Sequence, residues 1–129
     1  MNSIFVKGTS QYPEINLDRN TGRFEFLGNS IPEDAKEFFS PIFDWWDEYV
    51  EHPNPTTEVN FHMTYYNTPS SKMFFHILKK LEGLKQSGAD VKVKWYYAED
   101  DVDMRDAGYD FAENIALPIE LIPVPEEEE

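Results

Sequence analysis

The chain of 129 residues contains no cysteine, which excludes disulfides, thiol nucleophiles and thiolate metal sites. Long hydrophobic runs are missing too, since no apolar stretch approaches the ~20 residues of a membrane span. The start, Met1-Asn2-Ser3-Ile4-Phe5-Val6-Lys7, lacks the basic segment and sustained apolar stretch of a signal peptide. Positive charge is scarce: 11 Lys+Arg stand against 25 Asp+Glu, for a net charge of −14. So acidic a chain is ill suited to general nucleic-acid binding or to anionic membranes, where Lys and Arg supply the affinity. There is no GxSxG, no glycine-rich phosphate loop and no GxGxxG, and His52, His62 and His76 show no metal-ligand spacing such as HExxH. These absences lead to the expectation of a cytoplasmic, non-enzymatic protein with no catalytic residue, metal or cofactor.

What the sequence does have is apolar mass. Hydrophobic residues make up 40% and aromatic residues 16%, enough for a core despite the charge. The length suits one domain, expected over residues 1–125, with Glu126 to Glu129 as an acidic tail.

Periodicity predicts the elements. Strand-like pieces run from Ile4 to Lys7, Ile15 to Leu17 and Arg23 to Gly28, the last two joined by the turn Asp18-Arg19-Asn20-Thr21-Gly22. A helix follows from about Pro32 to Glu51, with Pro41 bending it or restarting it from Ser40 as cap. Its pairs Phe38/Phe39, Ile42/Phe43 and Trp45/Trp46 form a wide apolar arc, read either as core filling or as ring surface for a protein partner. From Glu58 to Tyr66 alternation puts Val59, Phe61, Met63 and Tyr65 on one strand face. A second helix runs to about Gln86 and ends at Gly88, Val91 to Tyr97 alternates as a strand, a third helix ends near Ile115, and Pro118 to Pro123 forms a last strand. Strands linked through helices imply parallel pairing in the second half with right-handed crossovers. Strands covered on both faces read as continuous apolar runs, whereas these alternate, so about three helices should lie mainly on one face. The fold class is therefore α/β, a two-layer sandwich on a mixed sheet.

The junction Tyr66-Asn67-Thr68-Pro69-Ser70-Ser71-Lys72 is the strongest candidate site. With Thr68 as N-cap and Pro69 as first helical residue, the Thr hydroxyl would sit beside free backbone N–H groups at the positive end of the helix dipole. A phosphate there would bring ~1.5 to 2 negative charges to an end already disposed to bind anions, and Lys72 lies one turn in. As an ordinary capping residue, Thr68 would need no further role. Charge distribution favours the first view: residues 57–97 carry six positive and three negative charges, while residues 30–56 and 98–117 each carry one positive and seven negative. Basic residues Lys72, Lys79, Lys80 and Lys85 sit on the same helix as Thr68. The acidic run Glu99 to Asp103 lacks the glycine and distal glutamate of an EF-hand loop and reads as a helix start.

These residues resemble the SiaC-type regulatory phosphoproteins, small bacterial proteins with a fold like that of anti-sigma factor antagonists (STAS-like). The similarity spans nearly the whole chain through Gly8-Thr9, Pro13-x-Ile15, Gly22-Arg23, Gly28-x-Ser30-x-Pro32-Glu33, Asp44-Trp45, Trp95-x-Tyr97, Phe111 and Pro118. Its most specific part is Asn-Thr-x-Ser-x-Lys, here Asn67-Thr68-Pro69-Ser70-Ser71-Lys72. The resemblance implies that Thr68 is the acceptor of a dedicated Ser/Thr protein kinase and is reset by a PP2C-type phosphatase. It also implies that the unphosphorylated protein activates a diguanylate cyclase and so controls cyclic-di-GMP output. Pro69 stands where the family often has serine, and Ser70 and Ser71 are alternative acceptors; Asn67 and Lys72 would flank the phosphate on the partner surface. The alternative is a constitutive STAS-like interaction module with no phospho-switch.

Overall fold

A tight turn sets the first half of the sheet. Gly22 adopts φ +74, a conformation glycine takes without a Cβ penalty, and its N–H donates to the Asp18 carbonyl at 2.9 Å, while the Asp18 carboxylate accepts from the Asn20 N–H at 3.0 Å. In the computed structural model, which describes residues 2–125, this turn joins β2 (Glu14–Asp18) to β3 (Arg23–Ser30) in an antiparallel pair, with β1 (Ile4–Val6) antiparallel outside β2. The chain continues as α1 (Ala35–Tyr49), β4 (Thr56–Tyr66), α2 (Thr68–Gln86), β5 (Asp90–Ala98), α3 (Val102–Asn114) and β6 (Ile119–Val124). The six strands lie in sequential order, and every pairing from β3 to β6 is parallel. The acidic tail of residues 126–129 lies outside the described residues.

Register explains why the helices share one face. Ile15, Phe26, Phe61, Trp95 and Leu121 are successive cross-strand partners, so their side chains point the same way. On that side Phe24 meets Trp45, Trp46 and Tyr49 of α1, Phe26 and Phe61 meet Phe74 of α2, and Trp95 meets Phe111 of α3. The adjacent row, Asn16, Glu25, Asn60, Lys94 and Glu120, points to the other side, which no helix among the described residues covers. The result is the expected two-layer α/β arrangement. No described helix is long and apolar enough to cross a membrane.

Two elements, α1 and β4, depart in detail from the sequence reading. Helix α1 begins at Ala35, because Asp34 caps it by accepting from the Glu37 N–H at 3.1 Å, and it runs unbroken through Pro41 with no restart at Ser40. Its aromatic arc is mostly core: Phe39, Ile42, Trp45, Trp46 and Tyr49 are buried, while Phe38 and Phe43 are half-buried. In β4 the alternation breaks at Thr64. Gly28 pairs with Met63 but Asn29 pairs with Tyr65, so β4 carries one extra residue. The bulge turns Tyr65 outward, to 59% exposure, and swings Tyr66 inward against Phe74 at 5.2 Å and Trp95 at 6.3 Å. Gly28, at φ +89, supplies the backbone conformation opposite the bulge.

Candidate functional site

In a parallel sheet the loops at the carboxyl ends of the strands are where sites are built. Here β3 and β4 end side by side, and the β4 bulge delivers the chain straight into α2. The N–H of Asn67 donates to the Ser30 carbonyl at 3.1 Å, which pins the start of α2 to the end of β3. Ser70 strengthens the anchor: its hydroxyl donates to the same carbonyl at 2.9 Å and lies 2.8 Å from the Ser30 hydroxyl, both side chains fully buried. Two residues 40 positions apart thus form a small polar lock in which each group has a partner, as buried polar groups require.

That lock moves the cap. Asn67 is the N-cap, accepting from the Ser70 N–H at 3.0 Å through its side chain and from the Ser71 N–H at 3.0 Å through its carbonyl. Thr68 is therefore the first helical residue and Pro69 the second, so the helix begins one residue earlier than the sequence pattern suggests. The correction has two consequences. Thr68 does not cap the helix; its side chain is exposed, and its hydroxyl makes no hydrogen bond among the described residues. Free N–H groups are also fewer than expected, because Pro69 has none and those of Ser70 and Ser71 are engaged. A charge on Thr68 would meet the helix dipole, an α2 first turn with no acidic residue, and exposed Lys72 one turn along.

Of the alternative hydroxyls, Ser70 is sealed in the lock, and half-buried Ser71 lines a cavity with Lys72. The cavity, of about 340 Å³, lies between α2 and α3 and is completed by Phe75, His76, Asp110, Phe111 and Asn114. Beside it Tyr66 is half-buried, and burial together with the Asp110 carboxylate pushes its phenol up to about 12, so it stays protonated. At the far end Glu82 is buried on α2, its carboxylate accepting from Lys79 at 2.8 Å and from the Ala116 N–H at 2.6 Å; these bonds hold its carboxyl below the usual value. The acidic run before α3 is a helix start, as expected: Asp101 caps by accepting from the Met104 N–H at 3.0 Å. Among the described residues no group of three or more His, Asp or Glu is placed to hold a metal ion.

Sequence reasoning placed Asn67, Thr68, Ser71 and Lys72 together, and they are adjacent. Ser30 and Asp110 were not assigned to this region. Their proximity depends on strand order and on the bulge, neither of which leaves a local signal.

Comparison with known proteins bears on the whole chain. A model of the SiaC family regulatory phosphoprotein matches residues 6–124. A Pseudomonas aeruginosa protein (strain UCBPP-PA14) of uncharacterized function is 28% identical over 121 residues, which is 94% of this chain and 96% of that protein. The crystal structure of apo-SiaC from Pseudomonas aeruginosa superposes with a TM-score of 0.86 at 29% identity, covering 95% of this chain and 99% of that one. SiaC in the crystal structure of diguanylate cyclase SiaD with its activator SiaC, from the same organism, gives a TM-score of 0.88 at 27% identity, covering 94% and 99%.

Proposed function

This chain belongs to the SiaC family of regulatory phosphoproteins, and from that premise we propose that it is a non-enzymatic, cytoplasmic switch that controls a signalling partner through reversible phosphorylation of Thr68. The partner is a diguanylate cyclase, the class that the Pseudomonas aeruginosa relative activates, so the output is cyclic-di-GMP. A Ser/Thr protein kinase writes the mark and a PP2C-type phosphatase removes it.

One observation carries the choice of residue. Thr68 is an exposed hydroxyl at the first position of a helix that Asn67 already caps, whereas Ser70 is buried and bonded to Ser30. Phosphorylation changes the surface without dismantling the helix start, because no bond of the polar lock passes through Thr68. The added charge then alters partner affinity by electrostatics and by its desolvation cost. A coupling of ~1 to 3 kcal/mol, a 5- to 150-fold change in affinity, suffices for a switch.

The test is incubation with the cognate kinase and ATP, followed by intact-mass measurement. Wild type should gain one phosphate and Thr68→Ala none; equal incorporation in the two would overturn the assignment, and retention by Ser71→Ala separates the neighbouring hydroxyl. If Thr68→Ala and Thr68→Glu bind and activate the cyclase alike, the protein is a constitutive module.

A further inference from the structure

Phosphoryl transfer bonds the Thr68 hydroxyl oxygen to the γ-phosphorus of ATP as ADP leaves and the hydroxyl proton passes to a base of the kinase, so the kinase must close over that oxygen. The chain around Thr68 can meet it in two ways, drawn out as an extended peptide or as folded. Its backbone is ill placed for the first. Downstream, Pro69 has no N–H, and the N–H groups of Ser70 and Ser71 are engaged by Asn67. Upstream, the Asn67 N–H is bonded to the Ser30 carbonyl, and Tyr66 packs against Phe74 and Trp95. Drawing the segment out would also take Ser70 from Ser30, whose fully buried hydroxyl is bonded to it.

The folded surface is ready as it stands. The Thr68 hydroxyl is exposed and makes no hydrogen bond among the described residues. Three residues before it, the β4 bulge sets Tyr65 outward at 59% exposure, with neither a ring contact nor a hydrogen bond among the described residues. Of the exposed large hydrophobic residues, Phe5, Tyr65, Val102 and Tyr109, it is the one beside Thr68 in the chain. Three residues of chain span at most ~11 Å, whereas a standard interface buries roughly 800 Å² on each partner, a patch about 16 Å in radius. A patch centred on the Thr68 oxygen therefore reaches Tyr65. A tyrosine near the middle of an interface is the kind of side chain that carries binding energy, because it is large and has little side-chain freedom to lose. We propose that the kinase docks on the folded junction of β4 and α2 with Tyr65 as its anchor, and does not take Thr68 in an extended peptide. This rests on the Thr68 switch proposed above and names the surface by which its kinase finds it.

The test is steady-state phosphorylation of the full chain with the kinase and ATP of the mass assay above. Tyr65→Ala should lower kcat/KM about tenfold through KM, with its urea unfolding midpoint unchanged, and Tyr65→Phe should restore most of the loss. Phe5→Ala, a similarly exposed ring on the outer strand β1, should leave kcat/KM as in wild type. Wild-type kinetics in Tyr65→Ala would overturn the proposal; so would a loss confined to cyclase activation, which would give the ring to the cyclase. A synthetic peptide of residues 60–75 should be phosphorylated about a hundredfold less efficiently than the chain, because it must first be ordered, and comparable efficiency would overturn the proposal. Ser70→Ala keeps the Asn67 cap but loosens the lock, and it should be phosphorylated no faster than wild type. A severalfold gain there would show that the kinase takes the opened segment, which is equally fatal. If Thr68→Ala gains phosphate as wild type does, the switch site is wrong and the anchor falls with it; if Thr68→Ala is inert while Tyr65→Ala matches wild type, the switch stands and the anchor alone falls.

Discussion

On one side of α2 lies α1, on the other α3, and the same helix makes two different kinds of seam. Toward α1 the contact is a continuous mesh of rings: Phe74 sits edge-on to Phe39 at 5.8 Å, Phe39 stacks on Phe43 at 6.2 Å, and Lys80 closes the surface over Asp47. Toward α3 the link is made at the far end, where Glu82 accepts from the Ala116 N–H, and the first turns of α2 face a cavity. Helix α3 is held by the sheet instead. The Trp95 indole donates to the Met104 carbonyl at 3.0 Å and packs on Phe111 and against Gly108. A helical layer can thus be closed on one flank and open on the other, because α1 and α2 share an apolar surface while α2 and α3 flank a cavity and are linked at its far end.

The largest effect should come from breaking the ring mesh. Phe74 is fully buried and touches Phe26, Phe39, Phe61 and Tyr66, so Phe74→Ala should cost about 3–5 kcal/mol in urea unfolding. Phe75→Ala, one residue on and half-buried in the cavity, should cost at most about 1.5 kcal/mol. Equal costs would refute the contrast between the seams. Next comes the fit of α3 on the sheet: a Cβ on Gly108 would lie 2.5 Å from the Trp95 ring, so Gly108→Ala should destabilise by about 1–3 kcal/mol and loosen α3 in hydrogen exchange before α1.

A third test concerns Glu82. Because hydrogen bonds from Lys79 and Ala116 lower its carboxyl below the ordinary value, its contribution is present above the unfolded-state value and lost as pH falls through the folded one. Acid unfolding of wild type should show this loss, and Glu82→Gln should flatten it in pH-dependent denaturant titrations. The smallest effect is expected at the α1–α2 surface, where Asp47→Asn removes a largely exposed ion pair worth about 0–1 kcal/mol. A larger loss there would mean that the ion pair, rather than the rings, holds the seam.

Much of the architecture was legible. Alternation in β4 and β5, the apolar stripe of α2 and the turn at Gly22 gave the elements and their order, and alternating strands implied helices on one face. The candidate site was legible as a segment, Asn67 to Lys72. Its inner geometry was not. Asn and Thr are both capping residues and Pro is tolerated in either of the first helical positions, so local pattern cannot choose between Asn67 and Thr68 as cap. The Ser30 carbonyl made the choice, by fixing the Asn67 N–H and the Ser70 hydroxyl together.

By itself, then, the sequence determined the features that periodicity and composition dictate: the elements, their single buried face, and a basic segment around Thr68 in an acidic chain. Tertiary structure decided the features that depend on relations between distant residues. The bulge opposite Gly28 exchanged the roles of Tyr65 and Tyr66, and the Ser30–Ser70 lock shifted the cap and released the Thr68 hydroxyl from capping. The placement of α3 beside α2 brought Lys72 and Asp110 to one cavity. The physical reason is common to all three: side-chain period is a property of one segment, whereas register, capping partners and facing charges are properties of pairs of segments that meet only on folding.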